Sequence, residues 1–323
     1  MTGTLARGLA AGAAGATALN VVTYLDMALR GRPASTVPEQ VVDALAGRTG
    51  RSVPGSGAVR ESRRTALGAL AGLANGLGVG VLASTVRSFG VRFPAPVGAV
   101  LTGVVSTAAT DLPVAALGIS DPRTWTAADW AADAVPHLAY GMAVQAVLEA
   151  APTDRERRTP RRPADAGVVL RSALLGLAAG SRSSLGFAGP ILTAPPRGTG
   201  PGRSGRGAKL ATVVALSTEF VADKQRGTPS RLHGAGLPSR VLAGAEGGAR
   251  LATRAVANGA LPATVGAAAA AGSSVAGAAW RRWAAGRMPA TTAALVEDGA
   301  ALALAALACL PGRARPPLVV VPR

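Results

Sequence analysis

The sequence is short of most of what a soluble enzyme uses. A single cysteine, Cys309, excludes a disulfide within the chain. Aromatic residues are 3% of the total, too few for the stacking platforms that single-stranded nucleic-acid binding requires. Lysine occurs only at Lys209 and Lys224, so nearly all of the 34 basic residues behind the net charge of +17 are arginine. The arginines are scattered between apolar stretches and do not form the one basic face that a nucleic-acid interface needs. Histidine occurs only at His137 and His233, in different halves, and no D-D-x-x-D, H-x-x-x-x-D or Ser–His arrangement appears. These absences argue against an enzyme and against a nucleic-acid partner, and no motif calls for a cofactor or a confident metal site.

Charge itself is scarce. Charged residues are 16%, below the roughly 25% of soluble domains, and mean hydropathy is +0.31. What replaces charge is long apolar sequence. Thr65 to Val86 runs 22 residues without a charge, Ala255 to Trp280 runs 26, and Gly8 to Leu25 runs 18. A helix needs about 20 mostly apolar residues to cross a bilayer core. A soluble bundle would instead show polar faces at helical spacing, and the 65–86 window offers only Asn75 and small hydroxyls. The pattern predicts an all-α, polytopic transmembrane helical bundle in the inner (plasma) membrane, with about eight to nine hydrophobic helices in two modules and the lipid bilayer as its partner. Arginines at the window ends match anionic headgroups.

In the N-terminal module, 1–151, spans are expected near 5–27, 65–87, 94–118 and 130–150. Between the first two, Thr36 is an N-cap candidate with Pro38 and Glu39 behind it, a capping-box spacing that predicts a short surface helix near 37–47. Residues 152–165 (PTDRERRTPRRPAD) read as a charged linker. The C-terminal module, 166–310, has candidate helices near 168–193, 208–223, 238–256, 261–283 and 291–310, and 311–323 reads as a disordered tail. Arginines cluster in both 48–64 and 155–162. The positive-inside rule asks for both on one side of the membrane, whereas three spans between them put them on opposite sides. A re-entrant span, a span split at Pro113 or Pro136, or a span count off by one would remove the conflict.

Gly68, Gly72, Gly76 and Gly80 repeat at four-residue spacing, as do Gly8 with Gly12 and Gly176 with Gly180. Such faces let helix backbones approach closely in lipid, within the chain or in a homo-oligomer. The second half carries G-L-A-A-G-S-R-S (176–183), T-E-F-V-A-D-K (218–224), L-P-S-R-V-L-A-G (237–244) and V-E-D-G-A-A-L-A-L (296–304) in that order. It resembles the uncharacterised bacterial multi-pass membrane family catalogued as domain of unknown function 4126. The first half, with T-Y-L-D-M-A-L-R-G-R-P-A-S and D-P-R-T-W-T-A-A-D-W, resembles actinobacterial membrane proteins without an assigned function. Both resemblances imply a membrane location and supply no reaction.

Function is sought in charges with apolar surroundings. Glu219 and Asp223 share a helix face, and Glu297 and Asp298 fall within the last apolar segment. An ionised carboxylate at mid-bilayer costs at least about 2.5–3.5 kcal/mol on insertion scales, so such groups face the bundle interior and serve a pathway or a pair. One reading has the two acidic elements converging on a cation or proton site. The other makes them structural, with Glu219 or Asp223 neutralising Arg182 in its own apolar helix. Asp129, Asp133 and His137 recur every four residues, a spacing that suits a metal or a proton relay. It also suits acids in a first helical turn behind the N-cap candidate Thr126. Asp111, before Leu112–Pro113, is a candidate for a helix break or a buried partner of arginine. The expectation is an integral membrane protein that moves a small cation or protons through Glu219, Asp223, Glu297 and Asp298. The alternative is a non-catalytic scaffold or assembly protein. Convergence of the four acids in a polar cavity favours the first, and pairing of each with arginine favours the second.

Overall fold

The computed structural model describes residues 2–159, 161–194, 204–222, 232, 234 and 236–310. Among them are twelve α-helices and one 3-10 turn, with no strand beyond an isolated bridge between Arg162 and Ala257. The chain divides into two compact units, Met1–Arg158 and Thr159–Arg323.

The first unit contains α1 (Thr2–Arg30), α2 (Val37–Arg48), α3 (Gly57–Ser88), α4 (Ala95–Ala116), a 3-10 turn at Pro122–Thr124, α5 (Ala127–Ala150) and α6 (Asp154–Arg158). α1 is rich in alanine and free of proline until Gly31, whose φ of +65° closes the helix in the left-handed region that glycine tolerates. α1 lies between α3 and α5, and α4 packs on α5. The α1–α3 crossing is made by glycines. A Cβ on Gly12 would fall 2.7 Å from the Gly76 carbonyl oxygen, and one on Gly80 would strike the Gly12 backbone. Three glycines of the 68–80 stripe are thus covered within the chain: Gly76 and Gly80 face α1, and Gly68 lies against Pro38 of α2. Only Gly72 has open space beside it. Tyr140 on α5, fully buried, donates to the Gly76 carbonyl at 2.5 Å.

Two local expectations are corrected. The helix after Thr36 is present, but the capping box is not: Thr36 is not extended (φ −95°, ψ 3°), makes no side-chain cap and accepts from Gln40 Nε2 at 3.0 Å. α4 and α5 run unbroken past Pro113 and Pro136. The chain therefore passes along the first unit in α1, α3, α4 and α5, and the 48–64 and 155–158 arginines lie at opposite ends of it. At the 48–64 end much of the charge is already answered: Arg64 Nη2 reaches Asp43 at 2.8 Å, and Arg63 donates to the Pro54 carbonyl at 3.0 Å.

The second unit contains α7 (Ala166–Ser181), α8 (Ser183–Leu192), α9 (Arg206–Ala222), α10 (Gly236–Arg254), α11 (Ala260–Ala284) and α12 (Ala290–Cys309). α7 is central, packed by α8, α10, α11 and α12, while α9 packs on α8. Gly176 and Gly180 sit against backbone of α11, and Gly244 of α10 meets Gly266 of α11. α10 buries its Ala–Gly face and leaves the Glu246–Arg250 pair exposed. The single helix expected at 168–193 is in fact α7 and α8, broken at Arg182.

Among the described residues, four helices are long and apolar enough to cross a membrane by length and composition: α1, α3, α4 and α12. Large apolar side chains on them, such as Leu70 at 61% and Val104 at 60%, are exposed. The segment 152–165 is divided between the units. Glu156 is buried in the first, and Asp165 caps α7 in the second by accepting from Val168 N–H at 2.8 Å. The 311–323 tail lies outside the described residues.

Candidate functional site

α7 ends because Arg182 leaves the helix. Its backbone is extended (φ −138°, ψ 108°), and its side chain turns inward until none of it is exposed. A guanidinium without water needs a counter-charge. Asp298 of α12 supplies it, with Oδ1 2.5 Å from Nη2. Arg182 also donates to the Ser181 carbonyl at 2.9 Å and lies 5.6 Å from the ring centroid of Phe220 on α9, within cation–π range.

The break frees the first N–H groups of α8, and Glu219 of α9 takes them. Its Oε1 accepts from the Ser183 N–H at 2.8 Å and the Ser183 hydroxyl at 2.7 Å. Its Oε2 accepts from the Ser184 N–H at 2.7 Å. A carboxylate in this place satisfies orphan donors and meets the positive end of the helix dipole. Glu219 is therefore a cap from a neighbouring helix and not the counter-ion of Arg182; Asp223 lies outside the described residues. Glu297, though adjacent to Asp298, points elsewhere and accepts from Arg281 Nε of α11 at 2.9 Å. Of the four acids expected to converge, Glu219 and Asp298 meet around the Arg182 junction, and Glu297 does not join them.

In the first unit Asp129 completes a capping box with Thr126: its carboxylate accepts from the Thr126 N–H at 2.9 Å, and the Thr126 hydroxyl accepts from the Asp129 N–H at 3.2 Å. His137 is buried, its Nδ1 2.8 Å from the Asp133 carbonyl and 3.4 Å from Asp133 Oδ1. Asp133 Oδ2 is enclosed without a hydrogen bond. Asp111 neither breaks α4 nor meets an arginine among the described residues; its charged neighbours are Asp133 and His137. No group of three or more His, Cys, Asp or Glu among the described residues is placed to hold a metal ion.

A second buried arginine junction, richer in hydrogen bonds, was not foreseen. Arg7 of α1, 6% exposed, donates from Nη1 and Nη2 to both Glu156 oxygens at 2.8 and 2.9 Å. It also donates from Nε to Ser84 Oγ at 3.0 Å and from Nη2 to Ser88 Oγ at 3.1 Å. This ties the start of α1 to the end of α3 and to α6. Burial alone would raise the Glu156 carboxyl; the Arg7 hydrogen bond, with the charges of Arg7, Arg87 and Arg92, instead holds it below the usual range. In sequence, Arg7 reads as the edge of an apolar window and Glu156 as one charge in a linker. Nothing local relates them across 149 positions.

Other basic residues repeat one theme. Arg171 donates to the Ala308 carbonyl at 2.6 Å and to the Leu310 carbonyl, at the end of α12. Arg254 donates to the Pro190 carbonyl at the end of α8, as Arg161 does to the Ala257 carbonyl beyond α10 at 3.2 Å. Helix C-termini present unpaired carbonyls and negative dipole ends, and the planar arginine fork can bind two such groups at once. Arg171, Arg254 and Arg161 thus cap helix ends. Comparison with protein-family models, curated proteins and solved structures found no match to the chain.

Proposed function

We propose that the protein is a multi-pass membrane scaffold, non-catalytic, in which buried carboxylates lock helices to one another and do not form a conduit. The observation that carries this reading is the Arg182–Asp298 pair, sealed at the α7–α8 break with Glu219 spent on the adjacent helix start. A cation site needs carboxylate oxygen without a resident positive partner; here Asp298 faces Arg182, and Glu297 faces Arg281. The apolar length of α1, α3, α4 and α12 and the resemblance of the second half to domain of unknown function 4126 support the membrane location. The broader span count, with α5, α7, α10 and α11 also in the bilayer, belongs to the same proposal.

The test is flux in reconstituted vesicles across protons and monovalent and divalent cations. Flux should equal that of protein-free vesicles and be unchanged by Glu219→Gln. A cation or proton current that Glu219→Gln abolishes would overturn the scaffold reading. A second reading, proton movement through the first unit, rests on the enclosed and unpartnered Asp133 Oδ2 beside His137. It requires a proton flux that Asp133→Asn removes and Glu219→Gln spares.

A further inference from the structure

At the junction of Arg7 and Glu156 the charges do not all cancel. Arg7 takes both Glu156 oxygens at hydrogen-bond distance, so that pair is neutral and closed. Arg87, one residue past the charge-free window that ends at Val86, is left with poor partners. Its Nε lies 3.8 Å from Glu156 Oε2, and its Nη1 lies 3.9 Å from Glu149 Oε1. Both exceed hydrogen-bond reach. Among the described residues Arg87 makes no hydrogen bond at all, although its side chain is only 17% exposed and its Nε is enclosed. Buried guanidinium donors are normally satisfied, so this one has capacity to spare.

More positive charge surrounds it. Arg92, in the turn before α4, lies within electrostatic reach of Arg87 and Arg7; burial, and the repulsion of those two against the pull of Glu156, leaves its guanidinium below the usual arginine range. Arg155 of α6 sits 5.6 Å from the ring centroid of Phe89, which follows α3 and is 58% exposed. Beyond the Arg7–Glu156 pair, Arg87, Arg92 and Arg155 bring three more guanidinium groups to this end of the unit, and Glu149 lies 3.9 Å from Arg87.

We infer that this corner is a seat for the phosphate of an anionic phospholipid headgroup, with Arg87 as its principal ligand. Phosphate suits arginine because its oxygens accept the parallel N–H groups of the guanidinium. The lipid source is favoured by position. Arg87 stands where the apolar window of α3 ends, at the depth of the headgroups if α3 crosses the bilayer, and Phe89 offers an exposed ring at the same level. Arg155 over that ring adds the positive potential that draws an anionic headgroup.

The inference rests on the membrane location proposed above, and vesicle flotation checks that separately: a protein that does not float with phosphatidylcholine vesicles refutes the location itself. The seat is tested on the full chain in neutral detergent, titrated with short-chain phosphatidylglycerol, short-chain phosphatidylcholine or inorganic phosphate while the thermal midpoint is followed. Phosphatidylglycerol should raise the midpoint saturably, and neither of the others should. Arg87→Gln should weaken the apparent affinity about tenfold or more, the scale of a lost charge-assisted hydrogen bond. Arg250→Gln, at an exposed pair in the second unit, should leave it unchanged. If Arg87→Gln does not fold, Arg155→Gln, at an exposed side chain, carries the same expectation in smaller degree. Equal response to both lipids, an unaltered response in the arginine variants, or a full response to inorganic phosphate would each overturn the proposal.

Discussion

Asp298→Asn removes the charge that answers a guanidinium with no exposed surface. The substitution keeps the volume and removes the negative charge that faces Nη2, while the Ser181 carbonyl and the Phe220 ring stay beside the guanidinium. Removing one partner of a buried pair costs about 3–5 kcal/mol, because the other charge stays buried without compensation. That lowers the folded-to-unfolded ratio by roughly two to three and a half powers of ten. Arg182→Met should cost a similar amount for the mirrored reason, since Asp298 is 5% exposed. The double variant Arg182→Met/Asp298→Leu should cost far less than the two singles together, because no charge is left stranded. Unfolding in mixed micelles, followed by fluorescence, reads all three. Trp280 and Trp283 stack at 5.2 Å in the same unit and report on it. A single variant costing less than about 1 kcal/mol, the range of an exposed pair, would refute the reasoning. So would additive singles.

Gly80→Ala places its Cβ on the Gly12 backbone, and overpacking of this kind costs about 1–3 kcal/mol. Gly72→Ala, with open space beside it, should instead gain up to about 1 kcal/mol of helix propensity, and thermal unfolding of the two side by side checks the contrast. Val256 is the non-glycine residue among those described with a positive φ, +51°; Val256→Gly should stabilise the second unit by about 1–2 kcal/mol in the same assay. Because the Glu156 carboxyl is held below its ordinary range in the folded chain, its contribution is complete above that range and is lost as the pH falls through the folded value. Stability of wild type measured downward through the acidic range should therefore drop more steeply than that of Glu156→Gln, and parallel curves would refute the assignment.

The helical class and the places of the helices were legible because they depend on local composition. A charge-free window such as 65–86 reports its own length, and T-A-A-D reports its own cap, since Thr126 and Asp129 lie within one turn. The glycine stripe was legible as a contact face for the same reason, although not whose helix would cover it. The roles of the charges were not legible. Arg182 could be recognised as an arginine in need of an acid, yet the sequence pointed to Glu219 or Asp223, and the acid that meets it at 2.5 Å is Asp298. The distances of Glu219 and Asp298 to Arg182 are set by how α7, α9 and α12 pack.

Sequence alone thus determined that this chain is a set of apolar helices, which chain segments form most of them, and that arginine gathers at their ends. Tertiary structure decided that α7 breaks at Arg182, that Asp298 rather than Glu219 is its counter-ion, that Glu219 caps α8, and that Arg7 reaches Glu156. The physical reason is range. Helix formation and capping act over a few residues, whereas a buried charge chooses among all acids that folding brings within a few ångströms, whatever their separation along the chain.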